Sequence, residues 1–261
     1  MDGRSVIEST LSTTIRPGFF AGTLDLFVEY LPFYLQGLLY TLLLAVVGTT
    51  VGLLIAFVFV VLKIQTVKRV TPFIPKNLKH LGKAFVNTYV TIFRGTPMMV
   101  QAMIFYYGLA SLGVRLPILA AGLIVVTLNT AAYLTEILRS GLESIDPGQR
   151  EAAESLGMTT RQTYQKILLV QAFKNMIPAI GNELIVNIKD TAVLSVIGVG
   201  ELFYMGRSVA GAHYRYTESF MIVAIIYLIV VMIAVYLLKQ LSRWMGKTPK
   251  DLNTSESGQA A

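Results

Sequence analysis

Hydrophobic residues come in long blocks along this chain, and the polar residues gather between them. No charge interrupts residues 31–62, a stretch well beyond the roughly 20 residues needed to cross about 30 Å of hydrocarbon. Before it, Phe20, Leu24, Phe27, Val28 and Leu31 recur at helical spacing, with Asp25 and Glu29 on other faces. That pattern predicts an amphipathic helix lying along a bilayer surface and leading into a first span. A second apolar block, 84–109, is interrupted by Arg94-Gly95-Thr96-Pro97, where Gly and Pro kink a helix and the Arg needs a partner. A turn near Gly113-Val114-Arg115 precedes a third block at 116–138. The fourth, 178–204, is unusually polar; a mixed outer loop over 201–218 then leads to a clean fifth at 220–238. The expectation is an all-α membrane protein with five transmembrane helices.

Charge gives those spans a direction. Residues 63–83 hold six Lys or Arg and no acid, so by the positive-inside rule this loop is cytoplasmic and the N-terminus lies outside. Arg139, Arg150, Arg161 and Lys166 place 139–173 inside too, and Lys239, Arg243, Lys247 and Lys250 place the C-terminus there. The expected organisation is an extracytoplasmic segment with an interfacial helix over 1–30, a transmembrane domain over 31–245 and a disordered cytoplasmic tail over 246–261.

Composition agrees and removes several chemistries. The 261 residues are 54% hydrophobic and 14% charged, against roughly 25% charged in soluble domains. The net charge of +7 sits beside apolar spans, where it meets anionic lipid head groups; nucleic acid is not an expected partner. There is no Cys, and His80 and His213 are the only His, so neither a thiol nucleophile nor a metal site is expected. No catalytic residues emerge. No GxxxxGK[ST] phosphate loop occurs, so any ATP that powers this protein is bound by another chain. The first 20 residues mix Asp2, Arg4, Glu8 and Arg16 and lack a signal-peptide core.

The polar stretch 145–170 is the most patterned part of the chain. Asp146 reads as an N-cap, Pro147 as the first helical residue and Gln149 as the third-position partner reaching back. Gly157 falls where helices stop in the left-handed conformation, and Thr159 with Gln162 opens a second helix. A short helix exposed to water between two spans, with no catalytic side chain, is a docking element. Ala152 and Ala153 would let it seat deeply, and Glu151 and Glu154 could hold basic groups of a partner.

Within the spans, Glu183, Asn187 and Asp190 fall at i, i+4 and i+7 on one helix face. This stripe has two readings, the lining of a pathway for a polar solute or a cluster fastening the span to its neighbours. Asn129 and Thr130 could complete such a path, or act as glue between helices. Arg94 could face a solute, or donate to carbonyls freed by the kink beside it. Glu136 and Arg139 form a local pair, and Gly48-x-x-x-Gly52 admits a closely packed helix, from this subunit or from a second copy.

These residues carry a resemblance. Glu151-Ala152-Ala153, three residues, Gly157, nine residues, then Ile167 and Leu169 resemble the EAA loop of the membrane subunits of bacterial ABC importers; Val170 stands where that pattern has Pro. Gly37 to Thr41, Arg94 to Pro97, Asn129 to Tyr133, Glu136 with Arg139, and Lys189-Asp190-Thr191 with Leu194 to Ile197 look like the polar amino acid permeases of the histidine/glutamate/glutamine/arginine family. The resemblance implies a multi-pass subunit of the bacterial cytoplasmic membrane that pairs with a second permease, identical or paralogous. It further implies two cytoplasmic ATPase subunits that bind the ATP and Mg, and an external amino-acid-binding protein. The ATPase groove would receive Glu151, Ala152, Ala153 and Gly157. An ion-gradient-driven secondary transporter is the alternative; it would call for inverted repeats, and none is visible.

Overall fold

The computed structural model describes residues 18–63 and 76–244, and among them every regular element is a helix. The expected tail over 246–261, most of the first basic loop and the N-terminal 17 residues lie outside the described residues. Helix α1, Phe19–Lys63, runs for 45 residues but breaks its helical dihedrals at Tyr30 (φ −105°, ψ 15°). Pro32 is the cause in the sequence: it has no N–H to donate and its ring crowds the carbonyl four residues back. The surface helix and first span expected separately are thus one helix with a joint near residue 31. The leading segment does more than lie on a surface. Leu26 is buried with Tyr34, Leu202, Val209, Ile222 and Val223, whereas Phe20, Leu24 and Val28 point away from the protein.

The centre of the molecule is α1 against α4 (Ile118–Glu143). The inward face of α1 is built mostly of small residues, Gly37, Thr41, Ala45, Gly48, Thr49, Gly52 and Ala56. Where lipid removes the hydrophobic incentive to associate, close backbone approach and packing hold helices together. A Cβ at Gly48 would lie 2.6 Å from Val126 Cγ1, and one at Gly52 would lie 3.2 Å from both Ala131 N and Thr127 O. The Gly48–Gly52 pattern therefore serves packing inside this subunit. At the end of α1, Lys63 contacts Glu136 of α4, and Arg139 Nε donates to the other oxygen of Glu136 at 2.8 Å. The expected Glu136–Arg139 pair is present, and Lys63 extends it to a second helix.

The remaining elements surround this pair. Helices α2 (Lys76–Gly95) and α3 (Met98–Ser111) flank Pro97, so the second apolar block is two helices with a break; α2 begins before the expected start at 84. After α4 come the short α5 (Pro147–Ser155) and α6 (Thr160–Thr163), a π-helical turn Tyr164–Leu168, and α7 (Leu169–Asp190). A 3₁₀ stretch, Thr191–Ile197, is followed by α8 (Leu202–His213) and α9 (Tyr216–Trp244).

Two expectations need correction here. The fourth block is not one span over 178–204. The helix enters from residue 160, carries Pro178 within it, tightens to 3₁₀ at Thr191 and ends at Gly198 (φ 89°). The β-branched Thr191, Val193, Val196 and Ile197 crowd a continuing α-helix, which favours that ending. The mixed loop over 201–218 is instead mostly α8, bent 52° from the preceding run. Its polar residues are used internally: Glu201 is fully buried, its carboxylate accepting from Phe203 N (2.8 Å), Tyr204 N (2.7 Å) and Tyr227 Oη (3.0 Å). Thr41 Oγ1 accepts from Leu202 N at 3.1 Å, completing the cap of α8. Among the described residues α1, α4 and α9 are each long and apolar enough to cross a membrane, and the bent α6-to-α8 run makes a fourth if taken as one span.

Candidate functional site

The polar stretch 145–170 is built from its caps. Asp146 Oδ1 accepts from Gly148 N at 2.7 Å and Pro147 occupies the first helical position, as expected. Gln149 departs from expectation. Asp146 binds the second helical N–H and so closes no reciprocal box; the Gln149 amide oxygen instead accepts from Gln171 Nε2 at 3.3 Å, linking α5 to α7. At the other end Gly157 has φ 78°, a conformation costly to any residue with a Cβ. The paired bonds Met158 N to Ala153 O (3.1 Å) and Gly157 N to Glu154 O (3.0 Å) make the helix stop a Schellman motif. The Thr159–Gln162 box forms in both directions. The result is a nine-residue helix with both ends fixed.

Its two faces differ. Ala153 is buried against its own subunit, while Glu151, Ala152, Ser155 and Leu156 face out; Leu156 is 84% exposed. Glu154 pairs with Arg150 at 3.3 Å within the helix. Leu156 was not singled out in the sequence, where it reads as one more apolar residue before a Gly. Beyond the loop, Val170 in place of Pro lets the helical run pass without interruption, and the under-wound π turn lies just before it.

A second polar cluster sits at the break between α2 and α3. Asn129 Nδ2 donates to Gln101 Oε1 (3.0 Å) and to Phe93 O (3.3 Å). Arg94 does not take the freed carbonyls; its guanidinium lies 5.2 Å from the Tyr133 ring centroid. A cation there gains from the ring quadrupole. Those carbonyls are met by Gln101, Asn129 and the Thr96 hydroxyl, which donates to Ile92 O at 2.8 Å. Gln101 was missed, although it is the sole amide within the apolar 98–105 run and so carried a signal.

The stripe on α7 divides. Asn187 is turned into the protein, where Nδ2 donates to Thr49 Oγ1 (2.8 Å) on α1 and to Thr130 Oγ1 (2.9 Å) on α4. Glu183 and Asp190 are more accessible, and Glu183 lies within electrostatic reach of Asp190 and of Arg94 on α2. So Glu183 is the member of the stripe that senses Arg94 of α2, Asn129 belongs to the α2–α3 break, and Asn187 joins three helices. No grouping of His, Asp and Glu suited to a metal occurs among the described residues.

The crossing-length apolar helices, the close-packed α1–α4 centre and the capped polar helix between spans define a membrane-integral transport permease of the type I ABC fold. Residues 74–246 match the family described as binding-protein-dependent transport system inner membrane component, and the chain belongs to that family. It is 38% identical to the arginine transport system permease protein ArtQ of Bacillus subtilis (strain 168), over 83% of this chain and 94% of that protein. It is 35% identical to the glutamine transport system permease protein GlnP of Escherichia coli (strain K12), over 60% of this chain and 73% of the relative. A solved structure described as an amino acid ABC transporter with histidines superposes with a TM-score of 0.75 at 34% identity, covering 88% of this chain and 99% of that one.

Proposed function

We propose that this chain is the membrane subunit of an ATP-driven importer that carries polar amino acids across a bacterial cytoplasmic membrane. The observation that carries the reading is α5: a nine-residue helix fixed by Asp146 at one end and Gly157 at the other, showing Leu156 and Ala152 outward. Such a rigid knob suits a groove in a cytoplasmic ATPase. Two ATPase subunits, holding the ATP and Mg, would engage two copies of it, one from this chain and one from a second permease subunit. An external binding protein would deliver the amino acid.

In this reading five spans cross the membrane with the N-terminus outside. The α2–α3 pair makes the second span around Pro97, and the run through α7 makes the fourth. ATP binding draws the two α5 helices together and rocks the helix bundles from inward- to outward-facing. The Gln149–Gln171 contact and Asn175 Nδ2 donating to Ser144 Oγ at 3.2 Å pass that motion into α7 and the end of α4. Helix α7 carries Glu183 and Asp190, which with Arg94 and Asn129 form the candidate path; Asn187 holds α7 in register beside it.

The test is reconstitution of the permease with its ATPase and binding protein in proteoliposomes, followed by a screen of amino acids for stimulated ATP hydrolysis and uptake. Stimulation by a polar amino acid is the expected result. Uptake driven by an ion gradient after ATP depletion would replace this reading with a secondary transporter.

A further inference from the structure

The break between α2 and α3 poses an accounting problem that one side chain solves. In a continuous helix the carbonyl of Phe93 would accept from the N–H four residues on, but that residue is Pro97, which has none. The carbonyl of Thr96 also loses its helical donor, because the N–H groups of Val100 and Gln101 both turn to Pro97 O, at 3.0 and 3.1 Å. At membrane depth an unpaired carbonyl is costly unless another donor, or water in a cavity, meets it. Gln101 Nε2 lies 2.9 Å from Phe93 O and 2.9 Å from Thr96 O. Its other end, Oε1, accepts from Asn129 of α4, which also reaches Phe93 O.

From this geometry we infer that Gln101 is a positioning residue for transport: its amide replaces the donor that Pro97 removes and pins the broken span to α4, which holds Arg94 over Tyr133. Gln suits the place because a single amide supplies donors to the orphan carbonyls and an acceptor to Asn129. Glu would lack the donors and Met would lack both. Arg94 follows Phe93 directly, so the carbonyl that Gln101 holds fixes the backbone from which the guanidinium projects. The functional part of this inference rests on the proposed path through Arg94; the positioning part does not.

The chain has no Cys, so a single reporter thiol is unambiguous. Ala102, fully buried at the α3–α4 contact, is replaced by Cys in the complete reconstituted transporter. Thiol modification with a maleimide is then timed alongside amino acid uptake. Gln101→Met is expected to speed modification about tenfold, the scale set by leaving a buried polar group unpaired. It should also raise the KM for uptake more than it lowers the maximal rate. Adding Pro97→Ala to Gln101→Met restores an N–H opposite Phe93 O and is expected to bring the modification rate back toward the parent value. A Gln101 that only fills space would show no such rescue. Equal modification rates in the parent and Gln101→Met, or a rate that Pro97→Ala leaves unchanged, overturn the inference. Faster modification with an unchanged KM upholds Gln101 as the positioning residue and removes Arg94 from the path.

Discussion

Replacing Asn187 by Leu separates the two readings that its place in the polar stripe allowed. The side chain is buried and its amide joins α7 to Thr49 of α1 at 2.8 Å and to Thr130 of α4 at 2.9 Å. Leu keeps nearly the same volume and removes both links, the one to Thr130 including its hydroxyl's contact with Asn187 Oδ1 at 3.2 Å. Hydrogen bonds between membrane helices average about 0.6 kcal/mol each and reach about 1.7, so two are worth about 1–3 kcal/mol. The lower half is favoured, because each Thr hydroxyl can turn to the carbonyl four residues back. For a chain of this size that lower half, about 1–2 kcal/mol, corresponds to a fall in Tm of roughly 2–8 °C. The assay is thermal unfolding of the purified complex in detergent, read by loss of the monodisperse peak, with uptake kinetics measured in parallel. A lower Tm with an unchanged KM is expected. An unchanged Tm with a severalfold higher KM would refute the reasoning and put Asn187 in contact with the transported solute.

Three further outcomes follow from particular contacts. Gly52→Leu should prevent stable assembly, because even a Cβ there meets backbone atoms of α4 at 3.2 Å, and overpacking by more than that costs about 1–3 kcal/mol or more; Gly95→Ala, with nothing within 4 Å, is the neutral control in an expression and size-exclusion comparison. Glu136→Leu removes the partner of both Lys63 and Arg139 and should destabilise the complex by about 1–3 kcal/mol, measured as a shift in its unfolding temperature. Gly157→Asp should abolish uptake while membrane insertion stays intact, and unchanged uptake in that variant would remove the docking assignment of α5.

Much of this was legible in the sequence because the signals were local. The caps of α5 and α6 need only residues within a few positions of one another, so Asp146, Gly157 and Thr159 with Gln162 were found; Gln149 was given a local partner, because its actual one, Gln171, is 22 residues away. The joint in α1 was anticipated from the change of pattern at residue 31, with Pro32 passed over as its cause, and the small residues at Gly48 and Gly52 announced a close contact without saying with what. Glu201 shows the opposite limit. In sequence it is a charge at the edge of a mixed loop; its carboxylate caps α8 locally through Phe203 N and Tyr204 N, but its burial under Tyr227, and Thr41 taking the next N–H at Leu202, come from two other helices. The same holds for Asn187, whose face is legible from spacing but whose occupants, Thr49 and Thr130, are not. Arg94 was visible as a charge without a partner; that its neighbours' carbonyls would be met by Gln101 depended on how α3 folds back on α4.

Whether a partner ATPase grips α5 can be read from a single thiol. With no native Cys in the chain, Leu156→Cys places one thiol on the exposed apolar residue at the C-terminal end of that helix. Maleimide modification is timed for the permease alone and for the assembled complex. Strong protection of position 156 on assembly with the ATPase, and none at an exposed control site such as Tyr214→Cys, is the result expected. Equal labelling of position 156 in the two states would contradict it.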